Sequence, residues 1–266
     1  MAGEKSRFSI FNHPTPESLR RPYNTDRSSR TDSPFTIDAG VFQLETDLFN
    51  WTLDRENPSD LKVRVRTIVA GQANLKVGLT SSIELQLILP SFVERRTSGP
   101  DVGRRLQQEG NGDSTIRLKM NLVGNDGGRF VAGFVGSLKM PTNGNHLGNS
   151  VVEPGFGLPI NVALPAGFTF FAQTRIDILD QAGSDSRRVL WSNPFGFSRA
   201  IVGKLSGYVE FYSAVSSGDP YPWIGTLDAG LMYQLTPNCS VDVNAVYGLT
   251  DSADDLNLFT GIAYRF

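Results

Sequence analysis

From residue 41 onward, polar and apolar positions take turns along the chain. Phe42, Leu44, Thr46 and Leu48 are separated by Gln43, Glu45 and Asp47, the pattern of a strand with one apolar and one acidic face. Leu61, Val63, Val65 and Thr67 alternate with Lys62, Arg64 and Arg66, and Ile83, Leu85, Leu87 and Leu89 with Glu84 and Gln86. Ile116, Leu118, Met120 and Leu122 oppose Arg117, Lys119 and Asn121; Phe130, Ala132, Phe134 and Leu138 oppose Gly133, Ser137 and Lys139. Further runs begin at Phe156 and at Phe168, the latter opposed by Gln173, Arg175 and Asp177, and five more occupy 191–205, 207–216, 221–235, 240–249 and 254–266. The pattern predicts an all-β chain of about twelve strands.

The connections fall into two kinds that take turns. Short turns are expected at 80–82, 125–128, 165–167, 206–207 and 236–238, and longer polar loops at 54–60, 94–113, 141–153, 180–190, 216–220 and 250–255. Short turns at one end and long loops at the other are the mark of an up-and-down transmembrane β-barrel, and an even strand number puts both termini on the short-turn side. Trp51, Trp191 and Trp223 fall at the long-loop ends; Phe130, Phe168, Tyr208, Tyr233, Tyr264 and Phe266 fall near the short-turn ends. Aromatic rings at both ends suit two membrane interfaces. Trp51 breaks the parity of its strand, so a bulge near Asn50 is expected to turn it outward.

Composition changes this picture little. No stretch reaches the roughly 18 apolar residues of a spanning helix, but a spanning strand needs only about 9 to 11 residues. The 25 basic and 27 acidic residues leave a net charge of −2, which argues against a nucleic-acid partner. One cysteine, Cys239, gives no disulfide and no zinc site. Residues 1–39 carry Pro14, Pro16, Pro22 and Pro34 among polar residues and no periodic apolar pattern, so they are expected to form an irregular leader ahead of a barrel at 40–266. No basic-then-apolar export segment is readable at the amino terminus; a bacterial outer-membrane location calls for one encoded upstream.

If the apolar faces meet lipid, the opposite faces line a lumen. They offer Arg64, Arg66, Arg117, Lys119, Lys139 and Arg175 as a basic wall, and Glu45, Asp47, Glu84, Glu210, Asp228 and Asp242 as a mainly acidic one. Turning a basic residue to lipid near the midplane costs about 2 to 4 kcal/mol, which forces the charges inward. Apolar or aromatic lumen contacts are offered only by Ile88, Val135, Phe171 and Tyr212. Leader residues 22–39, with Asp26, Arg27, Arg30 and Asp32, are expected either to fold into the lumen as a plug or to form a periplasmic tail.

No enzyme is expected. A lipid-face hydrolase would carry His two residues before Ser on a strand, whereas His146 precedes Leu147-Gly148 in a loop and His13 lies in the leader. Gly124-Asn125-Asp126-Gly127-Gly128 lacks the Lys-Ser/Thr ending of a phosphate loop and reads as a hairpin turn. Neither a cofactor nor a metal is called for; the acidic residues at 180–185 and Asp254-Asp255 read as solvated loop charge. The last strand ends on Ile262, Tyr264 and Phe266, like the carboxy-terminal strand through which the barrel assembly machinery reads outer-membrane proteins. The expected partners are therefore outer-membrane lipids, that machinery and a small solute.

A family resemblance points the same way. Thr25-Asp26-Arg27, Thr31-Asp32-Ser33-Pro34-Phe35 and the run Ala39-Gly40-Val41-Phe42-Gln43-Leu44-Glu45 resemble the outer-membrane channels grouped under the "MetA-pathway of phenol degradation". So do Gly78-Leu79-Thr80 with Ile83-Glu84-Leu85, Gly112-Asp113 with Leu118-Lys119, Ser137-Leu138-Lys139-Met140-Pro141 and Tyr208-Val209-Glu210. The resemblance covers residues 22–266; Ser28 stands where the family usually has Pro, and Gly144 follows Pro141-Thr142 one residue late. It implies a porin-like Gram-negative transporter for aromatic or hydrophobic compounds, whereas the charged faces favour polar or amphipathic solutes. The competing class is a soluble or surface β-barrel, structural or ligand-binding, with its apolar faces turned inward.

Overall fold

The computed structural model describes residues 5–55, 63–90, 92–99, 106–145, 147–181, 186–217 and 223–266. Sixteen β segments form one antiparallel sheet: β1 (Phe42–Asp54), β2 (Arg64–Ala70), β3 (Ala73–Gly78), β4 (Ile83–Leu89), β5 (Phe92–Ser98), β6 (Leu106–Asn111), β7 (Ser114–Val123), β8 (Phe130–Met140), β9 (Glu153–Ala163), β10 (Phe168–Asp180), β11 (Arg187–Ser192), β12 (Phe195–Val202), β13 (Leu205–Ser216), β14 (Ile224–Thr236), β15 (Cys239–Gly248) and β16 (Leu256–Arg265). Four strands are interrupted, β2/β3, β4/β5, β6/β7 and β11/β12, so the wall has twelve strands. β1 pairs with β16 from Gln43↔Arg265 to Leu53↔Leu256 and closes it, and the Phe266 N–H donates to the Phe42 carbonyl at 2.9 Å. Closure leaves no open edge at that seam, a condition for surviving in lipid.

The wall is polar inside and apolar outside. Leu85 and Leu87 are each 37% exposed, whereas Glu84 and Gln86, which alternate with them, are fully buried. The same alternation repeats at Ile116, Leu118, Phe156, Leu158, Val209, Leu231 and Val243, all exposed, against Lys119, Glu210, Asp228 and Asp242, all buried. A soluble barrel would reverse these faces; this one is a transmembrane β-barrel. Trp191 and Trp223 are half exposed, and their ring N–H groups donate to Thr174 Oγ1 at 2.8 Å and Ser213 Oγ at 2.9 Å. The expected bulge lies between Asp47 and Phe49, slightly earlier than Asn50; beyond it Trp51 pairs with Leu258 on the outer face.

Several expectations need correction. The span 94–113, expected as a polar loop, holds most of β5 and all of β6, and β3 continues the second strand well past Thr67. The turn read at Ser206-Gly207 lies at Gly203-Lys204. Tyr208 is not in the outer aromatic band: it shares the inner face with Glu210 and donates to the carbonyl of Ser28. The most consequential difference concerns parity. Leu53 pairs with Arg66 and Trp51 with Ile68, so Arg64, Arg66 and Ile68 face outward at the long-loop end while Val65, Thr67 and Val69 face inward. Below the Gly71-Gln72 break, β3 turns Asn74 and Lys76 inward instead. A one-residue slip exchanges every face of a strand, and the same slip recurs between β4 and β5 and between β6 and β7.

Candidate functional site

The lumen holds the chain's own leader. Residues 5–22 cover the short-turn mouth, where Ser9 bridges to Thr80 and the Ile10 N–H donates to the Leu79 carbonyl at 2.9 Å. Residues 23–31 then rise along the inner wall, and residues 32–41 return to the same mouth, where Ala39 bridges to Gly78. The base of this re-entrant loop is clamped: the Arg21 N–H donates to Asp38 Oδ2 at 2.6 Å and its guanidinium lies 3.0 Å from Oδ1. Arg21 and Lys5 also reach Asp126 in the β7–β8 turn, at 2.8 and 2.9 Å. Burial opposes ionisation of Asp126, but these two cations outweigh it and hold its carboxyl below the usual carboxylate range.

The charges of the loop are sorted by wall. Asp26 pairs with Lys119 and, at 2.7 Å, with Lys76; Asp32 pairs with Arg117, takes a hydrogen bond from Gln173 Nε2 at 2.8 Å and lies 3.9 Å from Arg175. On the other side Arg27 bridges Asp47 and Asp242, the latter at 2.7 Å, and Arg30 reaches Asp228 at 3.0 Å while stacking on Tyr212. Glu210 accepts the backbone N–H groups of Arg30 and Thr31 at 2.8 and 3.0 Å and the Thr31 hydroxyl at 2.5 Å. Glu210 and Asp228 are direct cross-strand neighbours. Two like charges so placed repel, and the loop supplies the counter-charge.

Wall glycines make room for the loop. A Cβ at Gly78 would run into the backbone of Asp38, one at Gly261 into the guanidinium of Arg27, and one at Gly133 would approach Pro34 to 3.0 Å. At the opposite end, Asp113 between β6 and β7 accepts backbone N–H groups of Thr142, Asn143 and Asn149 at 3.1, 3.0 and 2.7 Å and so gathers the 141–149 loop. Burial works against its charge, but these donors keep the Asp113 carboxyl below its ordinary range.

Of the residues singled out from sequence, Glu45, Asp47, Glu84, Arg117, Lys119, Arg175, Glu210, Asp228 and Asp242 lie on the inner face around the loop. Lys139 sits nearer the long-loop rim, 3.6 Å from Asp113 and 3.8 Å from Glu153. Arg64 and Arg66 do not join Arg117 and Lys119; the slip at Gly71 turns them outward, and Arg66 lies opposite Arg96. Their place near the loop is taken by Lys76, between Asp26 and Glu45 at 2.7 and 2.9 Å. Nor are the walls wholly of one sign, since Glu45 and Glu84 stand among the lysines. Lys76 escapes the sequence pattern because β3 does not read as a strand, and Gln86 and Gln173, although on the polar faces of their strands, carry no charge that singles them out. Asp255 accepts from the Arg55 N–H at 2.5 Å, and Phe171 and Val135 are buried on the inner face. Lys62, His146 and residues 182–185 lie outside the described residues.

Among the chambers that border the loop, two lie beside its upper part. One of about 380 Å³ lies between the ascending limb and the β9–β15 wall at the short-turn end, bordered by Tyr23, Phe171 and Tyr208. The other, about 350 Å³, lies on the long-loop side of the apex.

A closed twelve-strand wall, an apolar exterior and a charged interior define a transmembrane β-barrel of the outer-membrane type. Over residues 25–266 the chain matches, and belongs to, the family described as "Putative MetA-pathway of phenol degradation". Its fold is similar to that of an outer-membrane channel from Pseudomonas putida F1, at 13% identity over 91% of this chain and 100% of that one, TM-score 0.67. It is also similar to the β domain of the Bordetella autotransporter BrkA (15% identity, 86% and 100% covered, TM-score 0.58) and to the NanC porin (10% identity, 82% and 98% covered, TM-score 0.53). No curated protein matches it in sequence.

Proposed function

We propose that this protein is a bacterial outer-membrane channel for small polar or amphipathic solutes, and that residues 23–39 form a plug that holds its lumen closed. The carrying observation is the sorting of charge along the loop: Asp26 and Asp32 meet the lysines and arginines of one wall, Arg27 and Arg30 the carboxylates of the other. A field across a constriction selects by charge and dipole. Apolar and aromatic groups such as Ile88, Val135, Phe171, Leu179, Tyr208 and Tyr212 are interspersed among these charges, and on this reading the charges favour polar solutes over the hydrocarbons that the family's name suggests. Transport needs no covalent step and no cofactor. The outer apolar band contacts membrane lipid, and the terminal strand ending in Phe266 is the segment presented to the barrel assembly machinery.

Deleting residues 1–38 and recording single channels in a planar bilayer tests the plug. A several-fold larger unitary conductance than that of the full chain is expected; unchanged conductance from a folded barrel refutes the plug.

A further inference from the structure

The apex of the loop occupies a position that a solute could take. Asp32 presents its carboxylate to three side chains on β7 and β10: Oδ1 accepts from Arg117, Oδ2 accepts from Gln173 Nε2 at 2.8 Å, and Arg175 Nη1 lies 3.9 Å from Oδ2. Among the described residues, Asp32 is the only carboxylate paired with Arg117. Arg175 is fixed from behind by Asp177, through Nε at 2.9 Å and Nη2 at 2.6 Å, which leaves Nη1 turned toward Asp32. The receiving groups lie close against β9: a Cβ at Gly157 would run into the Gln173 amide, and one at Gly155 into Arg175. Gly155 and Gly157 thus make room for the carboxylate-binding groups against β9.

The chamber of about 350 Å³ opens on this face from the long-loop side, lined by Arg117 and Arg175 together with Ile88 and Leu179. That volume suits a small ligand. Arg30, Lys139, Glu153 and Asp177 also line the chamber, with Lys139 3.8 Å from Glu153 and Arg175 2.6 Å from Asp177, so among the described residues Arg117 is left with Asp32 as its one carboxylate partner. Separate donors for the two oxygens, Arg117 on Oδ1 and Gln173 on Oδ2, fit a carboxylate, and Ile88 and Leu179 offer it an apolar neighbour.

We propose that Arg117, Gln173 and Arg175 form a binding site for small carboxylates with an apolar body, and that Asp32 is the resident occupant such a ligand displaces. This rests on the channel reading and adds to it a solute class and an opening signal. The carboxylate enters from the long-loop side, takes the hydrogen bonds of Asp32, and leaves the apex without its anchor.

Calorimetric titration of the full-length protein in detergent micelles with sodium benzoate tests the site, with benzamide as the neutral isostere. Emptying the site in Asp32→Ala is expected to tighten benzoate binding roughly tenfold, because the internal competitor no longer occupies the competent state. Arg117→Gln is expected to abolish it, and benzamide to give no heat in any variant. Folding is checked by heat-modifiable migration, and Arg175→Gln serves if Arg117→Gln does not fold. Equal benzoate affinity with and without Asp32, or benzamide binding as well as benzoate, overturns the proposal. A barrel that conducts once residues 1–38 are removed but binds no benzoate overturns this site alone; a folded barrel that conducts in neither form overturns the channel reading beneath it.

Discussion

At the scale of single residues, the lumen depends on groups that do little by themselves. Gly261 has no side chain to contribute, yet the guanidinium of Arg27 lies where its Cβ would be, between Asp47 and Asp242. Gly261→Val should push Arg27 off both carboxylates and leave buried charge unpaired, at a cost of about 3 kcal/mol. A urea midpoint in micelles followed by tryptophan fluorescence measures it, with Gly136→Ala, where the nearest atom to a new Cβ is a Phe134 ring carbon at 3.5 Å, as the neutral control. Asp126 supplies a second prediction. Its folded carboxyl is depressed, so the stability it contributes is fully present above the unfolded pKa and is lost as pH falls through the still lower folded one. Protease protection of residues 5–22 should therefore persist at about pH 5 and fail only below the ordinary carboxylate range, near pH 4 and under. Loss of protection already at pH 5 would mean that Asp126 does not hold the amino-terminal cap.

At the scale of strands, the architecture was largely legible in the sequence and the parity was not. Alternation along Ile83–Leu89 and Phe168–Asp180 and the order of short and long connections follow from what a lipid-facing wall demands of every second residue. Breaks inside strands obey no such rule. Gly71-Gln72 and Gly112-Asp113 look like turns, and only hydrogen bonding to neighbours tells an interrupted strand from a connection. Each slip reverses the faces beyond it, which is why Arg64 and Arg66 were placed inside and Lys76 went unnoticed. The inner-wall acids and bases of uninterrupted segments, such as Glu210, Asp228 and Asp242, were readable because nothing upstream on their strands shifts the count. The loop's partners could not be paired residue by residue, since a segment without periodicity carries no register. The slip has a measurable consequence: Arg64→Glu should leave the reversal potential of the leader-deleted channel unchanged, while Arg117→Glu should shift it toward cations. A comparable shift from both would put β2 back into the lumen wall.

At the scale of the whole molecule, the loop and wall form one electrostatic unit. Around the loop the wall contributes Lys76, Arg117, Lys119 and Arg175 against Glu45, Asp47, Glu84, Asp177, Glu210, Asp228 and Asp242. Four bases face seven acids, so a barrel stripped of residues 1–38 is expected to prefer cations, read as a reversal potential in a potassium chloride gradient; anion preference would show that the rim, not this belt, sets selectivity. The clamp between Arg21 and Asp38 ties both limbs of the loop to the same mouth. The apex can therefore come off the wall without the leader leaving the barrel, and once off it stays confined within a few tens of ångströms of the groups it left. Return is then a unimolecular event whose rate does not depend on how much protein is present. A short tether sets an effective concentration on the order of millimolar, and a free competitor of equal intrinsic affinity must reach that level before the apex stays away. On the proposed reading of residues 23–39 as a plug, tethering at both ends sets a concentration threshold below which the passage closes again.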